Sequence, residues 1–450
     1  WHHDLNKKHI QTFVVNHLYN DNKPQNTWVS TNPFLTGFLP IQNDNQYNIQ
    51  QIEREKQNNL DVLFKHYWII NSFNHLYFNV GNSYSNSYNQ TQTVQNLSNQ
   101  TTYNFNTDGF YNNLHYTLND FYVGAEYKFY LGKSINTPGI YWHQYNANIN
   151  QSTNTTISKG LWLPQWKTEI DLSKSKKFRF NYRMQTSFAT ASALADGKSL
   201  SSYSSVYKGN ALQENEVYHY LTTSYSKFSL YRGWTYFLNA SYVKKENTRR
   251  NEVVFDGINR YLTTVLTNLP EQRANASANV EKRVNEFVLG GNASATWSEY
   301  HQSINNTYNK FNRNTQNIGA SVRTTFDSIP QLSIRYDRGF NQINAVQKSS
   351  FQTDSYNISI DHEFYKHFIA EASYQKFVNH SAFAVSNNYE ILNASLRYQK
   401  KKNPWTFELQ GQNLLGAETK VQSSISDYMV SETTYFILPR LVLLSVKYKL

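Results

Sequence analysis

Apolar and polar residues alternate with a period of two along most of this chain, the signature of strands with two unlike faces. Between Lys176 and Phe188, the residues Phe178, Phe180, Tyr182 and Met184 alternate with Lys177, Arg179, Asn181, Arg183 and Gln185. One face of such a strand is apolar and the other carries charge. Trp405, Phe407, Leu409 and Gly411 alternate in the same way with Thr406, Glu408 and Gln410, as do Val442, Leu444, Val446, Tyr448 and Leu450 with Ser445, Lys447 and Lys449. Tyr356, Ile358 and Ile360 repeat the pattern, and so do Leu332, Ile334 and Tyr336.

This period predicts strands near residues 8–19, 57–70, 74–85, 119–131, 138–151, 158–172, 176–188, 215–227, 233–246, 272–283, 286–298, 313–326, 331–341, 352–363, 368–379, 388–399, 404–412 and 440–449. Most of these roughly eighteen strands are about 10 to 15 residues long, against about 5 to 6 for strands of soluble sheets. A tilted strand that crosses a bilayer needs about 9 to 11, so length favours a membrane wall.

The links between strands are a second test. Short ones fall at Asn71 to Phe73, Gly132 to Asn136, Ser173 to Ser175, Phe228 to Arg232, Val284 to Asn285, Asp327 to Pro330, Phe364 to His367 and Lys400 to Asn403. Longer polar links fall between them at 20–56, 86–118, 189–214, 247–271, 299–312, 342–351 and 413–439, with shorter ones at 152–157 and 380–387. Short and long alternate in register with the strand order, as in an outer-membrane barrel with short turns on one side and long loops on the other. With Leu450 ending a downward strand, the short turns are expected in the periplasm and the long loops outside.

Composition removes other classes. No run approaches the roughly 18 to 20 apolar residues of a membrane helix, and the mean hydropathy of −0.67 suits a barrel whose polar row faces the lumen. The 43 Lys and Arg, which give a net charge of +11, are mostly spread singly. Nucleic-acid binding needs a continuous basic face, so no nucleic-acid partner is expected. The absence of Cys excludes thiolate metal sites and thiol catalysis. A soluble array of sandwiches or blades would show shorter strands and a domain break.

Several stretches resemble a known family. Gly209-Asn210-Ala211-Leu212-Gln213-Glu214-Asn215-Glu216 resembles the segment that enters a barrel strand in TonB-dependent outer-membrane transporters, with Ala211 and Gln213 where that family more often has proline and lysine. Gln412-Asn413-Leu414-Leu415-Gly416 resembles the segment ahead of their last long loop. Tyr435-Phe436-Ile437-Leu438-Pro439-Arg440 with Leu441 to Leu450 is similar to their closing strand, which normally ends in an aromatic residue. Glu53-Arg54-Glu55-Lys56, Phe64-Lys65-His66-Tyr67-Trp68 and Gly81-Asn82 resemble the outer-membrane β-barrel branch common in Bacteroidota.

The resemblance implies a 22-stranded barrel with a plug inside it and energy from TonB. Residues 1–450 are then the outer-membrane barrel portion, with the plug, TonB contact and roughly four strands upstream. The expected function is active import of a bulky solute. The alternative is a non-transporting barrel subunit or scaffold of an outer-membrane complex. The expected partners are outer-membrane lipid and lipopolysaccharide, TonB through the upstream region, and a surface lipoprotein or other outer-membrane subunits.

No catalytic motif of a protease, lipase or other enzyme appears, and no cofactor or metal is expected. Gly290-Gly291 lies inside a predicted strand and reads as a bend or close backbone contact. His2 and His3 read as solvated terminal residues, and His362 with His367 lacks a third metal ligand. Alternation assigns Glu126, Lys128, Lys167, Glu169, Arg179, Arg183, Arg323, Arg335, Asp337, Arg397 and Glu408 to the lumen, where their first role is to hydrate the wall and hold a plug. Trp68, Trp142, Trp162, Trp166, Trp234, Trp297, Trp405 and Tyr448 are the candidates for aromatic girdles at the lipid–water boundaries. Loops 86–118 and 413–439, rich in Asn, Gln, Ser, Thr and Tyr, could hydrogen-bond sugars or peptides.

Overall fold

A computed structural model describes the chain apart from Gln213, Leu230, Asp327, 345–347, 382–386, 401–402 and Leu450. Gln213 of the first motif, Leu230, Asp327 and 401–402 of three short turns, parts of links 342–351 and 380–387, and the closing Leu450 therefore lie outside the described residues.

The chain is all-β, as its alternation predicts, and 25 strands join one sheet. Its wall is a meander of nineteen strands, each hydrogen-bonded antiparallel to the next. They are His2–Asn6, His9–Asn22, Tyr47–Asn71, Asn74–Asn96, Tyr111–Leu131, Ser134–Asn150, Asn154–Ser173, Lys176–Ser187, Glu216–Ser229 and Trp234–Lys245. Glu271–Val284, Phe287–Ile304, Thr307–Thr324, Gln331–Asn344, Lys348–Phe364, Phe368–Ser381, Asn387–Gln399, Trp405–Gln412 and Leu441–Tyr448 complete it. Every predicted strand has its counterpart, and His2–Asn6 is added. His2 and His3, expected to be solvated terminal residues, pair with Thr12 and Gln11 in this added strand, and their side chains remain exposed.

The strands rise further on the long-loop side than the period suggested. Asn74–Asn96 and Tyr111–Leu131 consume most of the 86–118 link. The 299–312 link is no loop at all: strands run to Ile304 and from Thr307, joined by Asn305 and Asn306 at φ 48° and 63°. Asparagine tolerates the left-handed backbone that a tight hairpin turn requires, so this pair closes a long ribbon. Alternation weakens there because the buried positions mix Tyr300 and Phe311 with Gln302 and Ser303, so an apolar–polar period no longer marks the strand.

Other long links carry structure of their own. Gln25–Ser30 pairs with the upper part of Tyr47–Asn71. The link after Ser187 holds a short helix, Ala191–Leu194, and the hairpin Lys198–Ser202/Ser205–Lys208. This hairpin joins in parallel the strand Asn259–Thr267 of a second hairpin, Thr248–Asp256/Asn259–Thr267. The last link holds the hairpin Thr419–Ile425/Val430–Phe436.

Register divides the wall into two faces. On Tyr111–Leu131 one face carries Phe121, Val123, Ala125, Tyr127, Phe129 and Leu131 near the short turn, then Asn119, Thr117, His115 and Asn113 beyond. The apolar part spans about 11 residues, which at about 3.3 Å rise and a tilt of about 40° is a band of roughly 28 Å. The opposite face carries Glu126, Gly124, Tyr122, Asp120 and, higher up, the buried Tyr116 and Leu114.

The long links fold over that second face at its upper end, where apolar clusters are buried, two of them large. Ile49, Phe105, Phe110, Leu35 and Val206 form one, and Leu114, Ile149, Leu194 and Ala195 belong to the other. Among the described residues, the wall has two edges without a strand partner, His2–Asn6 and Leu441–Tyr448.

Candidate functional site

The cross-strand register places all eleven predicted lumen residues on one face, the face crossed by the loops, and all eight predicted girdle aromatics on the other. Arg179 lies opposite Glu169, Lys167 opposite Asn181, and Arg183 opposite Gln165. Phe178, Phe180 and Tyr182 point the other way, opposite Ile170, Thr168 and Trp166.

The eleven charges do not converge on one point. Glu126 accepts a hydrogen bond from the Tyr141 hydroxyl, which itself accepts one from Asn79 at 2.9 Å, and Lys167 stands 3.8 Å away. Glu169 binds Lys177 at 2.9 Å and Arg179 at 3.6 Å. Arg335 holds Asp337 at 2.5 Å, to which Asn292 donates at 3.4 Å. Arg397 and Lys447 share Glu408 at 3.1 and 3.4 Å. Lys128 lies over the Tyr130 ring, Arg183 lies over Tyr220 at 5.0 Å, and Arg323 reaches Glu281 at 3.8 Å. Most of these charges are thus neutralised locally along the wall.

Between the clusters lies a polar pocket of about 530 Å³ lined by Arg179, Asn181, Tyr220, Asn239, Asn275 and Thr296. Thr296 donates to Asn275 Oδ1 at 2.9 Å and Asn275 donates to Ser241 at 3.1 Å. Beside it, rings lie flat on the wall. Gly81 and Gly124 leave room for Tyr122 and Tyr141, whose ring atoms would sit 2.4 and 2.2 Å from a Cβ at those positions. Tyr122 stacks on His143 at 5.0 Å, His143 stacks on Tyr145 at 5.4 Å, and His143 Nδ1 is 2.8 Å from Asp120. A surface of amides, hydroxyls and rings can hydrogen-bond and stack on a hydrated solute without covalent chemistry.

Several members of this site escaped the sequence reading: Tyr141, Asn79, Tyr220, His143 and Asp120. Their alternation was visible, but their convergence depends on which strands become neighbours.

The sequence motifs work as loop anchors. Gly209 packs so close that a Cβ would lie 2.5 Å from Ala195 O, and Asn210 N donates to Ala193 O at 2.8 Å. Glu216 then takes Lys245 at 3.1 Å and Arg249 at 3.6 Å. Burial beneath the loops pulls the Arg249 guanidinium down from its usual range, against the pull of Glu216. Asn413, at φ 49°, donates to Ala417 O and Leu438 O and so ties both ends of the last link.

At the mouth, the last hairpin reaches far from its own strands. Tyr300 donates to Asp427 at the hairpin tip, Arg250 stands 4.0 Å from the same carboxylate, and Tyr428 meets Phe255 edge-on at 5.5 Å. Seven strand spacings, about 34 Å of wall at about 4.8 Å each, separate Phe287–Ile304 from Leu441–Tyr448. The hairpin therefore crosses over the loop-covered face.

The girdle candidates form two tiers. Trp68, Trp234, Trp405 and Tyr448 stand near short turns, with Trp405 against Tyr448 at 4.8 Å and Trp234 stacked on Tyr236 at 5.1 Å. Trp142 faces Trp162 directly across the strands, and Trp297 lies ten residues beyond Phe287. Trp166 sits between the tiers, opposite Tyr182.

Gly290 lies within a strand, where a Cβ would meet Ser321 Oγ at 2.4 Å. His362 and His367 turn to separate rings, Phe364 and Tyr398. Among the described residues, no cluster of three metal-ligating side chains occurs, and no helix is long and apolar enough to cross a membrane.

No protein-family model matches the sequence, and no curated protein matches it. Among solved structures, the chain is similar to the ferric-catecholate import receptor Fiu from E. coli K12, with a TM-score of 0.41 and 10% identity over 99% of this chain and 78% of that one. It is similar to the copper transporter OprC, with a TM-score of 0.38 and 5% identity over 91% and 74%. It is also similar to the siderophore receptor PirA from Pseudomonas aeruginosa, with a TM-score of 0.36 and 9% identity over 91% and 77%.

Proposed function

We propose that this chain is the wall of an outer-membrane import barrel, with its apolar face in lipid and its charged face lining the lumen through which a bulky hydrated solute passes. The carrying observation is the face split: eleven charges and the amide-rich pocket on one side, an apolar band of about 28 Å on the other. An unpaired strand edge is not tolerated in hydrocarbon, so further strands close the gap between His2–Asn6 and Leu441–Tyr448. The family resemblance implies 22 strands, and nineteen are present here, which leaves about three. In this reading a plug supplied by the rest of the chain meets the wall charges, TonB supplies energy, and the long loops face outward.

The absence of Cys makes single-cysteine scanning clean. Cysteines at Val123, Ile318 and Phe407 should react with a lipid-soluble maleimide and resist a charged one, whereas cysteines at Asn181, Asn239 and Ser321 should do the reverse. Equal labelling of both sets by the charged reagent in intact outer membranes would remove the membrane wall. A deletion strain with no uptake defect and a stable co-purifying complex would favour the scaffold reading over transport.

A further inference from the structure

On the outward face, beside the short turns, three lysines stand in a row without a counter-charge. Lys176 lies directly opposite Lys227 across two strands, and register puts both on the side of Phe178 and Tyr225. Lys282 lies opposite Trp234. Lys227 sits over the Tyr236 ring at 5.1 Å and Lys282 over the Trp234 ring at 4.8 Å, and the two rings stack on each other. Like charges directly opposite in a ladder are destabilising. Every other outward position of these strands between Lys176 and Tyr182, Leu221 and Ser229, Trp234 and Tyr242, and Ala274 and Val284 is uncharged. None of the three lysines has a carboxylate partner among the described residues; Lys282 donates instead to Arg232 O at 2.6 Å. Two outward cations further round the wall are neutralised: Lys376 by Glu390 at 2.7 Å and Arg338 by Asp354 at 3.8 Å.

Directly above the row the wall is hollowed. A groove of about 490 Å³ is floored by Ala240, Ala276, Ala278 and Ala293 and walled by Tyr225 and Ile318. It begins one outward position, about 7 Å, from Lys227 and continues along the strands past Ala274 toward Trp297. The groove is lined on its outward side by alanines and apolar side chains, and Tyr225 at its lower end is the outward neighbour of Lys227.

We infer that this patch binds one anionic phospholipid, its phosphate held by Lys176, Lys227 and Lys282 and one acyl chain laid in the alanine groove. This rests on the outward face being lipid-exposed. Charge complementarity selects the headgroup, because ammonium groups near a membrane surface attract anionic lipid. The aromatic pair between the lysines sets the depth of the headgroup, since such rings settle at the interface.

The test is native mass spectrometry of the full chain in mild detergent, stripped of lipid and titrated with phosphatidylglycerol and phosphatidylcholine of identical chains. The expected result is one retained phosphatidylglycerol with roughly tenfold preference over phosphatidylcholine. K227Q/K282Q should abolish that preference, and Ala276→Phe should weaken both lipids by filling the groove. K133Q/K366Q, which removes two turn lysines from the same rim, should change nothing. Equal binding of the two lipids by the parent chain, an equal loss in K133Q/K366Q, or competition by inorganic phosphate at the lipid's own concentration would each overturn the site. Heat-modifiable gel mobility, recorded for every variant, separates the two levels: its absence in the parent chain would sink the barrel reading, and its presence with no lipid preference would sink only this one.

Discussion

The two ends of the wall solve the same physical problem in opposite ways. Near the short turns no buried apolar cluster forms among the described residues: the apolar side chains Phe178, Ile318 and Leu444 face outward, while charges and amides fill the other face. Near the long loops the polarity reverses. Ile49, Phe105 and Phe110 are fully buried beneath folded links, and the outward face carries Asn113, His115 and Thr117. One strand, Tyr111–Leu131, passes through both regimes. The solvent around each segment decides which face is greasy, and a change of solvent along a strand inverts the rule.

Substitutions can break this comparison, beginning with the loop-covered end. Phe110→Ala removes a ring packed against Phe105 at 6.0 Å and should cost about 3 to 5 kcal/mol of local stability. Hydrogen exchange should rise across 97–110 and 198–208 while the wall strands keep their protection; a uniform rise would mean that the two ends are one cooperative unit.

Next comes the band. Ile318 points outward and is 59% exposed, so Ile318→Lys should destabilise the protein in bilayers by about 2 to 4 kcal/mol, while Asn119→Lys, on the outward face above the band, should change it by less than about 1. Urea titration in liposomes measures both, and equal costs would erase the boundary between the regimes.

A smaller effect is expected at Gln51, which is 1% exposed. Its side-chain amide pairs with the Leu200 backbone, accepting from N at 2.7 Å and donating to O at 3.1 Å. Gln51→Ala leaves both groups of Leu200 unpaired and should cost about 1 to 3 kcal/mol, read as faster exchange of the Leu200 amide.

The smallest effect is a pH dependence at Asp44. Hydrogen bonds from the Ser98 side chain and backbone hold its carboxyl below the usual range. The stability it adds is present above the unfolded carboxyl pKa and lost as pH falls through the lower folded value. Exchange near residues 44 and 98 should accelerate over that acid window, and Asp44→Asn should flatten the profile.

The wall was legible in the sequence to the extent that its two faces met different solvents. Phe178 to Met184 announced a strand and its outward face, and Arg179 and Arg183 were assigned to the inner row by the same count. The 299–312 ribbon was missed because its buried positions mix Tyr300 and Phe311 with Gln302 and Ser303, and the crown hairpins were missed because Val206, Leu200 and Phe105 bury themselves in links without any sustained period. Charges could be placed on a face, but the pairing of Arg397 with Glu408 or of Tyr141 with Glu126 depends on the stagger between strands.

Alternation by itself thus determined that the chain is a long antiparallel meander with a greasy side and a wet side, because a pleated strand sends neighbouring side chains in opposite directions. Only the tertiary structure decided what those sides contain. It brought Lys176 opposite Lys227, seated Tyr122 and Tyr141 over Gly81 and Gly124, and carried Asp427 across the mouth to Tyr300. Each of these contacts joins residues distant in sequence, and a local period carries no information about the register that unites them.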